Sequence, residues 1–443
     1  MKKVVVLGGG ESGFGSAVLA KQKGFEVIVS DNGKIADKYK AILEEWAIPY
    51  EEGGHTEAVN GADLVIKSPG IPDKVAVVEN FRKAGVPVIS EIEFAGRYCT
   101  ARTICITGSN GKTTTTTLTH KILADAGFDV GLAGNIGESF AYQVAVASHK
   151  WYVIELSSFQ LDGCTDFRAD IGVLMNITPD HLDRYNFRLQ NYVDSKFRIL
   201  RNQTASDAFI FCADDPLTCS NIEKYDITQQ RLSFTAKGAQ GAAAELKNGV
   251  ITLNWKNKTI ELPMSELKLG GIHNAYDIMA AMSAALEAGV EPESIVRSVK
   301  DFGGVEHRLE VVCEKNGILY INDSKATNVD SVWYALESMN RPVVWIAGGT
   351  DKGNDYEPLK EFARQKVKAL ICMGLNNEKL KESFFGLVSR VYDTNSLEQT
   401  MMAVREIAAE GDVVLLSPAC ASFDLFDNYE DRGRKFKEAV KSI

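Results

Sequence analysis

The chain has 443 residues, 45% hydrophobic and 24% charged, with 59 acidic against 49 basic side chains and a formal charge of -10. That length exceeds a single hydrophobic core and calls for two to four domains of ordinary globular composition. The acidic balance, offset by no long basic run, argues against a nucleic-acid partner. Eight scattered cysteines include no Cys-x-x-Cys pair, which points to free thiols in a reducing cytoplasm rather than to disulfides or zinc. The apolar run at the N-terminus is too short for a signal peptide, and no stretch approaches membrane-spanning length, so a cytoplasmic protein without membrane insertion is expected.

Residues 4–7 form a β-branched run, followed by Gly8-Gly-Gly-Glu-Ser-Gly13, a helical pattern over 16–23, and a strand over 26–30 that runs into Asp31. This strand–turn–helix unit matches Gly-x-Gly-x-x-Gly with an acid beyond the next strand. The pattern leaves three readings open: a dinucleotide, as in a nicotinamide dehydrogenase; a UDP-sugar diphosphate; or close packing of a helix. Strands over 64–67 and 86–89 follow, the first ending in the loop Ser68-Pro-Gly-Ile-Pro72. Residues 1–95 thus read as one small α/β domain.

A second domain, 96–304, opens on an apolar strand at 103–106 and the segment Thr107-Gly-Ser-Asn-Gly-Lys-Thr-Thr114, with a helix over 118–126. Backbone N–H groups at a helix N-terminus favour anions, so this turn is a phosphate loop. Gly108 and Gly111 let the backbone approach a phosphate, Lys112 reaches toward the terminal phosphates, and Thr113 offers a hydroxyl to Mg2+. The usual pattern requires glycine where this chain has Ile106, so the loop is a compressed variant. Strands at 130–133, 151–155 and 171–175 follow, and their C-terminal ends carry Asn135, Glu155 and the run to His181. Open α/β sheets bind ligands beyond such ends. Taken singly, Glu155 is either a Mg2+ ligand or a surface strand end, and His181 either a ligand or a capping or core group. Lys196 sits mid-helix in a pattern over 189–201 and reads on its own as a solvated lysine. After a strand at 208–212, residues 246–262 alternate and turn at Asn248-Gly249 and Lys256-Asn-Lys258, giving β-hairpins, and an alanine-rich helix covers 275–289. A third domain, 305–443, alternates strands (309–312, 318–321, 343–347, 369–373, 413–416) with helices as in a doubly wound sheet.

The phosphate loop, Glu155-Leu-Ser-Ser-Phe-Gln-Leu161, Asp180-His-Leu-Asp-Arg-Tyr185, Ile321-Asn-Asp-Ser-Lys-Ala-Thr-Asn328, Leu416-Ser-Pro-Ala-Cys-Ala-Ser-Phe-Asp424 and Asn428-Tyr-Glu-Asp-Arg-Gly433 together resemble the Mur ligases of peptidoglycan synthesis. They are most similar to the branch that adds D-glutamate. The resemblance spans the chain and is weakest in the first domain. It implies an α/β protein of three domains: Rossmann-like, then a P-loop ATPase-like, mostly parallel sheet with added β-hairpins, then Rossmann-like again. It also implies that ATP phosphorylates the alanyl carboxylate of UDP-N-acetylmuramoyl-L-alanine and that D-glutamate displaces the phosphate; a monomer is expected. A sister ligase adding another amino acid is the alternative.

By motif position the resemblance implies ATP contacts from Gly108, Ser109, Asn110, Gly111, Lys112, Thr113, Thr114, Asn274, Asp277, Arg308 and Asp323. Two Mg2+ sites are implied, one at Thr113 and Glu155 and a second at His181 with a carbamate on Lys196. Ser12, Asp31, Asn32 and Gly70 fall on the uridine diphosphate side; Asn135, Ser157 and Gln160 fall on the muramoyl-alanine side. Lys325, Thr327, Lys352, Ser422, Phe423 and Tyr429 fall around D-glutamate. The chain departs from its relatives in two places. Asp277 stands where many carry asparagine, and Asn32-Gly33 replaces a Thr-Arg pair that some use.

Overall fold

A computed structural model describes residues 2–225, 227–351 and 353–442. Runs of valine and isoleucine buried on both faces form three sheets, as parallel strands covered by helices require. The first has β1 (Lys3–Leu7), β2 (Glu26–Ser30), β3 (Tyr50–Glu51), β4 (Leu64–Lys67) and β5 (Val88–Ile89), all parallel in the order β3-β2-β1-β4-β5. The second has β6 (Arg102–Thr107), β7 (Val130–Gly134), β8 (Trp151–Glu155), β9 (Ile171–Leu174), β10 (Ala208–Cys212), β11 (Gln230–Thr235), β12 (Ala244–Lys247), β13 (Val250–Trp255) and β14 (Lys258–Pro263). Its order is β14-β13-β12-β11-β10-β9-β6-β8-β7, antiparallel only from β12 to β14, where the hairpins were expected. These two sheets belong to one compact unit, Met1–Phe302.

The other unit, Gly303–Ile443, holds β15 (Glu310–Lys315), β16 (Ile318–Asn322), β17 (Val343–Ala347), β18 (Val367–Met373), β19 (Val391–Thr394) and β20 (Val413–Leu416). The order is β15-β16-β20-β17-β18-β19, and only β15 runs antiparallel to its neighbour. Trp345 and Phe384 are fully buried there and meet edge to face, with ring centroids 5.1 Å apart.

Three strands were not expected: β3, β11 and β19. β3 and β19 are short and pair with the longer β2 and β18, while β11 pairs along its length with β10 and at its end with β12. The strand expected at 86–89 shortens to Val88–Ile89 because Pro87 has no N–H to give a ladder; its carbonyl still accepts from Val65 (2.9 Å). The phosphate-loop helix runs over Lys112–Asp125 and takes in the threonine run, whose Thr114, Thr115 and Thr116 are buried.

Glu93 fastens the first sheet's side of this unit to the second. It lies in the helix Glu91–Gly96, capped by Ser90, and is fully buried. Its Oε2 accepts the N–H groups of Thr165 (3.0 Å), Asp166 (3.0 Å) and Phe167 (2.9 Å). Burial pushes this carboxyl up, but the three N–H donors and Arg97 outweigh it and hold the group below the usual range. A depressed carboxyl stabilises the fold above its unfolded pKa, roughly 4.3, and loses that contribution as pH falls through the folded value. Glu93→Gln is expected to lose about 1–3 kcal/mol at neutral pH. Denaturant melts should show its deficit against the parent chain narrowing as pH drops below about 4.

Candidate active site

The phosphate loop leaves β6 at Thr107, the strand paired on one side with β8 and on the other with β9. Ile106, the residue that breaks the usual motif, is fully buried and sits in register with Glu155 and Val173, so it belongs to the strand. Gly108 has φ +151° and a Cβ there would lie 2.8 Å from Met175 Cβ; Gly111 has φ +81°. Both positions require glycine. The loop is tied to the segment after β9. Asn110 N–H donates to Asn176 Oδ1 (2.9 Å), Asn176 returns a bond to Asn110 O (3.1 Å), and Ser109 Oγ donates to Thr178 O (2.9 Å).

Two amines converge on this loop. Lys112 Nζ donates to Gly108 O and Ser109 O, each at 2.8 Å. Lys196 Nζ donates to the same Gly108 O at 2.8 Å. The solvated lysine read from the residues alone is therefore corrected: Lys196 is 2% exposed and lies 4.6 Å above the ring of Tyr192. Burial, then the nearby Lys112 cation, hold its amine well below the ordinary lysine value, against the opposing pull of Asp180, Asp162 and Glu155. Tyr192 was missed from the sequence. It stands four residues before Lys196, on the same face of the helix Leu189–Phe197, and its hydroxyl lies 3.0 Å from Ser109 Oγ.

Glu155 ends β8 and is 1% exposed. The surface reading of this residue falls. Oε1 accepts from Asn135 Nδ2 (2.7 Å), while Oε2, equally buried, has no hydrogen-bond partner among the described residues. A buried carboxylate oxygen left open beside a phosphate loop fits a hard cation such as Mg2+. Thr113, at the start of the loop's helix, is partly exposed, and Thr114 is buried. His181 follows Asp180 with left-handed backbone (φ +52°), and its ring packs edge-on to Phe159 at 5.2 Å. Asp277 is buried against the loop, 2.3 Å from where a Cβ on Gly111 would be, and Asn274 Nδ2 donates to Gly270 O (2.7 Å).

A cleft of about 770 Å³ opens in the same unit. Ser12, Asp31, Asn32, Gly70, Asn135 and Gln160 line it; Ser157 does not, but its hydroxyl caps the helix that presents Gln160. Asp31 is committed to the backbone, accepting from Gly9 N–H and Gly33 N–H at 2.7 Å each.

The other unit holds the remaining candidates. Asp323 is buried, accepting from Ser417 Oγ (2.8 Å) and Leu309 N–H (3.2 Å); burial raises its carboxyl to about 6, with Arg308 opposing. Arg308 donates to Ser331 Oγ at 3.4 Å. Lys325 Nζ donates to Tyr429 Oη (3.1 Å), and Thr327 N–H donates to Lys325 O (2.9 Å). Ser422 is buried, whereas Phe423 is 74% exposed. Lys352 lies outside the described residues. Sequence reasoning also missed Arg432, a buried guanidinium that donates to Ser324 O (2.8 Å) and Cys420 O (3.3 Å).

A phosphate loop beside a buried, half-paired carboxylate at the next strand end defines a nucleotide-dependent enzyme of the P-loop class. Residues 3–77 match the MurD N-terminal domain, 106–285 the Mur ligase middle domain and 307–420 the Mur ligase glutamate ligase domain. The chain is 52% identical to the UDP-N-acetylmuramoylalanine--D-glutamate ligase of Bacteroides fragilis, covering all of both chains. It is 50% identical to the ligase of the same name from Christiangramia forsetii, again over the whole of both. Among solved structures, the UDP-N-acetylmuramate-alanine ligase of Thermotoga maritima aligns with 100% of this chain and 99% of its own at a TM-score of 0.64 and 19% identity, a likeness of fold. The chain belongs to the Mur ligase family, within the UDP-N-acetylmuramoylalanine--D-glutamate ligases. Membership in an ATP-using, amide-forming family removes the dehydrogenase reading of the first glycine-rich turn.

Gly111 tests the loop's shape. Gly111→Ala is expected to destabilise the fold by about 1–2 kcal/mol through the left-handed backbone alone. The added methyl must also displace Asp277, so ATP affinity should fall by about tenfold, read by calorimetry beside a thermal melt.

Proposed function

We propose that the protein joins D-glutamate to UDP-N-acetylmuramoyl-L-alanine at the expense of ATP, releasing ADP and phosphate, in peptidoglycan precursor synthesis. The observation that carries this is the open Oε2 of buried Glu155 beside a phosphate loop, in a chain half identical from end to end to D-glutamate ligases. In this reading residues 1–95 take the uridine end of the substrate, 96–304 take ATP, and 305–443 take D-glutamate. The enzyme acts as a monomer in the cytoplasm; its eight free cysteines support a reducing compartment.

The alanyl carboxylate attacks the γ-phosphorus, ADP leaves, and an acyl phosphate results. The amine of D-glutamate then attacks the acyl carbon, phosphate departs, and the amine loses a proton. The first step brings negative groups together, so positive charge must be concentrated there. Lys112 supplies it from the loop, moving from the Gly108 and Ser109 carbonyls to the terminal phosphates. Mg2+ would lower the charge on the β- and γ-phosphates, held by Thr113 and Glu155 at one site and by His181 and a modified Lys196 at a second. A lysine cation binds no metal. The neutral amine of Lys196, however, can add to CO2, forming an N–C bond and losing a proton to give a carbamate anion; its burial beside Lys112 supports that step.

Asn274, Asp277, Arg308 and Asp323 would contact ATP. Ser12, Asp31, Asn32 and Gly70 would hold the diphosphate end, and Asn135, Ser157 and Gln160 the muramoyl-alanine end. Six of these seven line the 770 Å³ cleft. Lys325, Thr327, Lys352, Ser422, Phe423 and Tyr429 would surround D-glutamate, a lysine for its side-chain carboxylate and hydroxyls for the rest.

Phosphate release should require both UDP-N-acetylmuramoyl-L-alanine and D-glutamate; release with L-alanine or a diamino acid instead would assign the chain to a sister ligase. Lys196→Ala should lose at least about a hundredfold in kcat and recover in part with added acetate or propionate, which can stand in for the carbamate. An unchanged rate, or a dead variant that short acids do not revive, would remove the carbamate role. Intact-mass or 13C measurements under 13CO2 would read the modification directly.

A further inference from the structure

Arg184 is a guanidinium with no acidic partner within ion-pair distance among the described residues. It belongs to the turn Leu182–Tyr185, and its N–H donates to His181 O at 3.0 Å. Its side chain reaches the loop after β4, where Nη2 lies 3.3 Å from Pro69 O and 3.4 Å from Ile71 O, and Nη1 lies 3.5 Å from Gly70 O. Each contact is long for a hydrogen bond, yet three successive carbonyls face one planar fork. The guanidinium stacks 4.3 Å above Phe159, the residue whose ring carries His181 on its edge. Lys67 Nζ also donates to Ile71 O, at 2.7 Å.

In a trans peptide the N–H points opposite to the preceding C=O. Turning the carbonyls of Pro69 and Gly70 toward Arg184 therefore turns the N–H groups of Gly70 and Ile71 the other way. Ile71 N–H is used locally, on Ser68 O at 3.1 Å. Gly70 lines the cleft, with Ser12, Asp31 and Asn32. We infer that Arg184 is a positioning residue for the uridine diphosphate substrate: it fixes the Gly70 peptide so that its N–H meets an anionic oxygen, and it ties that loop to the backbone of His181. The inference rests on the proposed reading of the cleft as the UDP site.

The test separates the two. UDP binding to the parent chain is measured first by calorimetry, independently of ligation. If UDP binds but D-glutamate does not drive phosphate release, the ligase reading fails while the Arg184 inference stands; if UDP does not bind, the inference falls with the cleft. Arg184→Ala should then raise the Kd for UDP and the KM for the UDP substrate by about tenfold or more, with the KM values for ATP and D-glutamate within about twofold. Added methylguanidinium should restore part of the loss, and Arg184→Lys, which lacks the planar fork, should fall between. An unchanged Kd, or a rise in all three KM values that methylguanidinium does not reverse, would overturn the assignment. Should Arg184→Ala not fold, Arg184→Lys carries the same comparison.

Discussion

Two lysine amines share one backbone carbonyl, and the rest of the site depends on that contact. Lys112 and Lys196 each place Nζ 2.8 Å from Gly108 O. Two ammonium groups held on one carbonyl in a buried setting repel, and this adds to the burial that lowers the proton affinity of the more enclosed amine. That amine is Lys196, which is enclosed, while Lys112 is partly open. The carbonyl is available because Gly108 adopts a backbone conformation closed to other residues, with Met175 and Asn176 packed where a side chain would begin. The backbone of the loop at Gly108 and the lowered proton affinity of a lysine 88 residues away thus meet at one carbonyl.

The same economy of contacts joins the cleft to the phosphate loop. Asn135 donates its backbone N–H to Glu155 O (2.9 Å) and its side-chain amide to Glu155 Oε1 (2.7 Å), while itself lining the cleft. One oxygen of the carboxylate is fixed from the cleft side and the other left open. A rotation of Asn135 would therefore turn the carboxylate, which makes the strand end of β7 part of the geometry of β8. Gly134, with φ +101° and Glu155 O 2.2 Å from a would-be Cβ, permits this close approach.

Most of the sheets were legible because parallel, doubly covered strands read as continuous β-branched runs, and those at 26–30, 64–67, 151–155, 208–212, 343–347 and 413–416 fall where the residues put them. The phosphate loop was legible for a different reason: its glycines and lysine do their work through local backbone geometry. What stayed hidden depends on contacts between distant segments. Nothing in the nine residues around Lys196 says that a carbonyl 88 positions earlier will sit on its amine. Nor does Asp-Arg-Tyr announce that Arg184 crosses to a loop some 113–115 residues before it. The resemblance to a family implied a role for Lys196, and the structure adds its burial and its contact with Gly108 O.

Under the proposed reading, that burial also bears on why a lysine, rather than an acid, occupies the position. Asp162, Asp180 and Glu155 all act on the group at 196. A permanent carboxylate there would add a fourth negative charge to a dehydrated region and weaken the fold whenever no cation was bound. A lysine adds no negative charge in that state, and its amine donates to Gly108 O. Under the proposed reading it becomes an anion by taking up CO2, and the charge is stabilised when Mg2+ and nucleotide phosphates balance it. The burial that depresses the amine and the use of the carbamate are then the same device: a negative ligand that the folded chain need not carry until its counter-charge arrives.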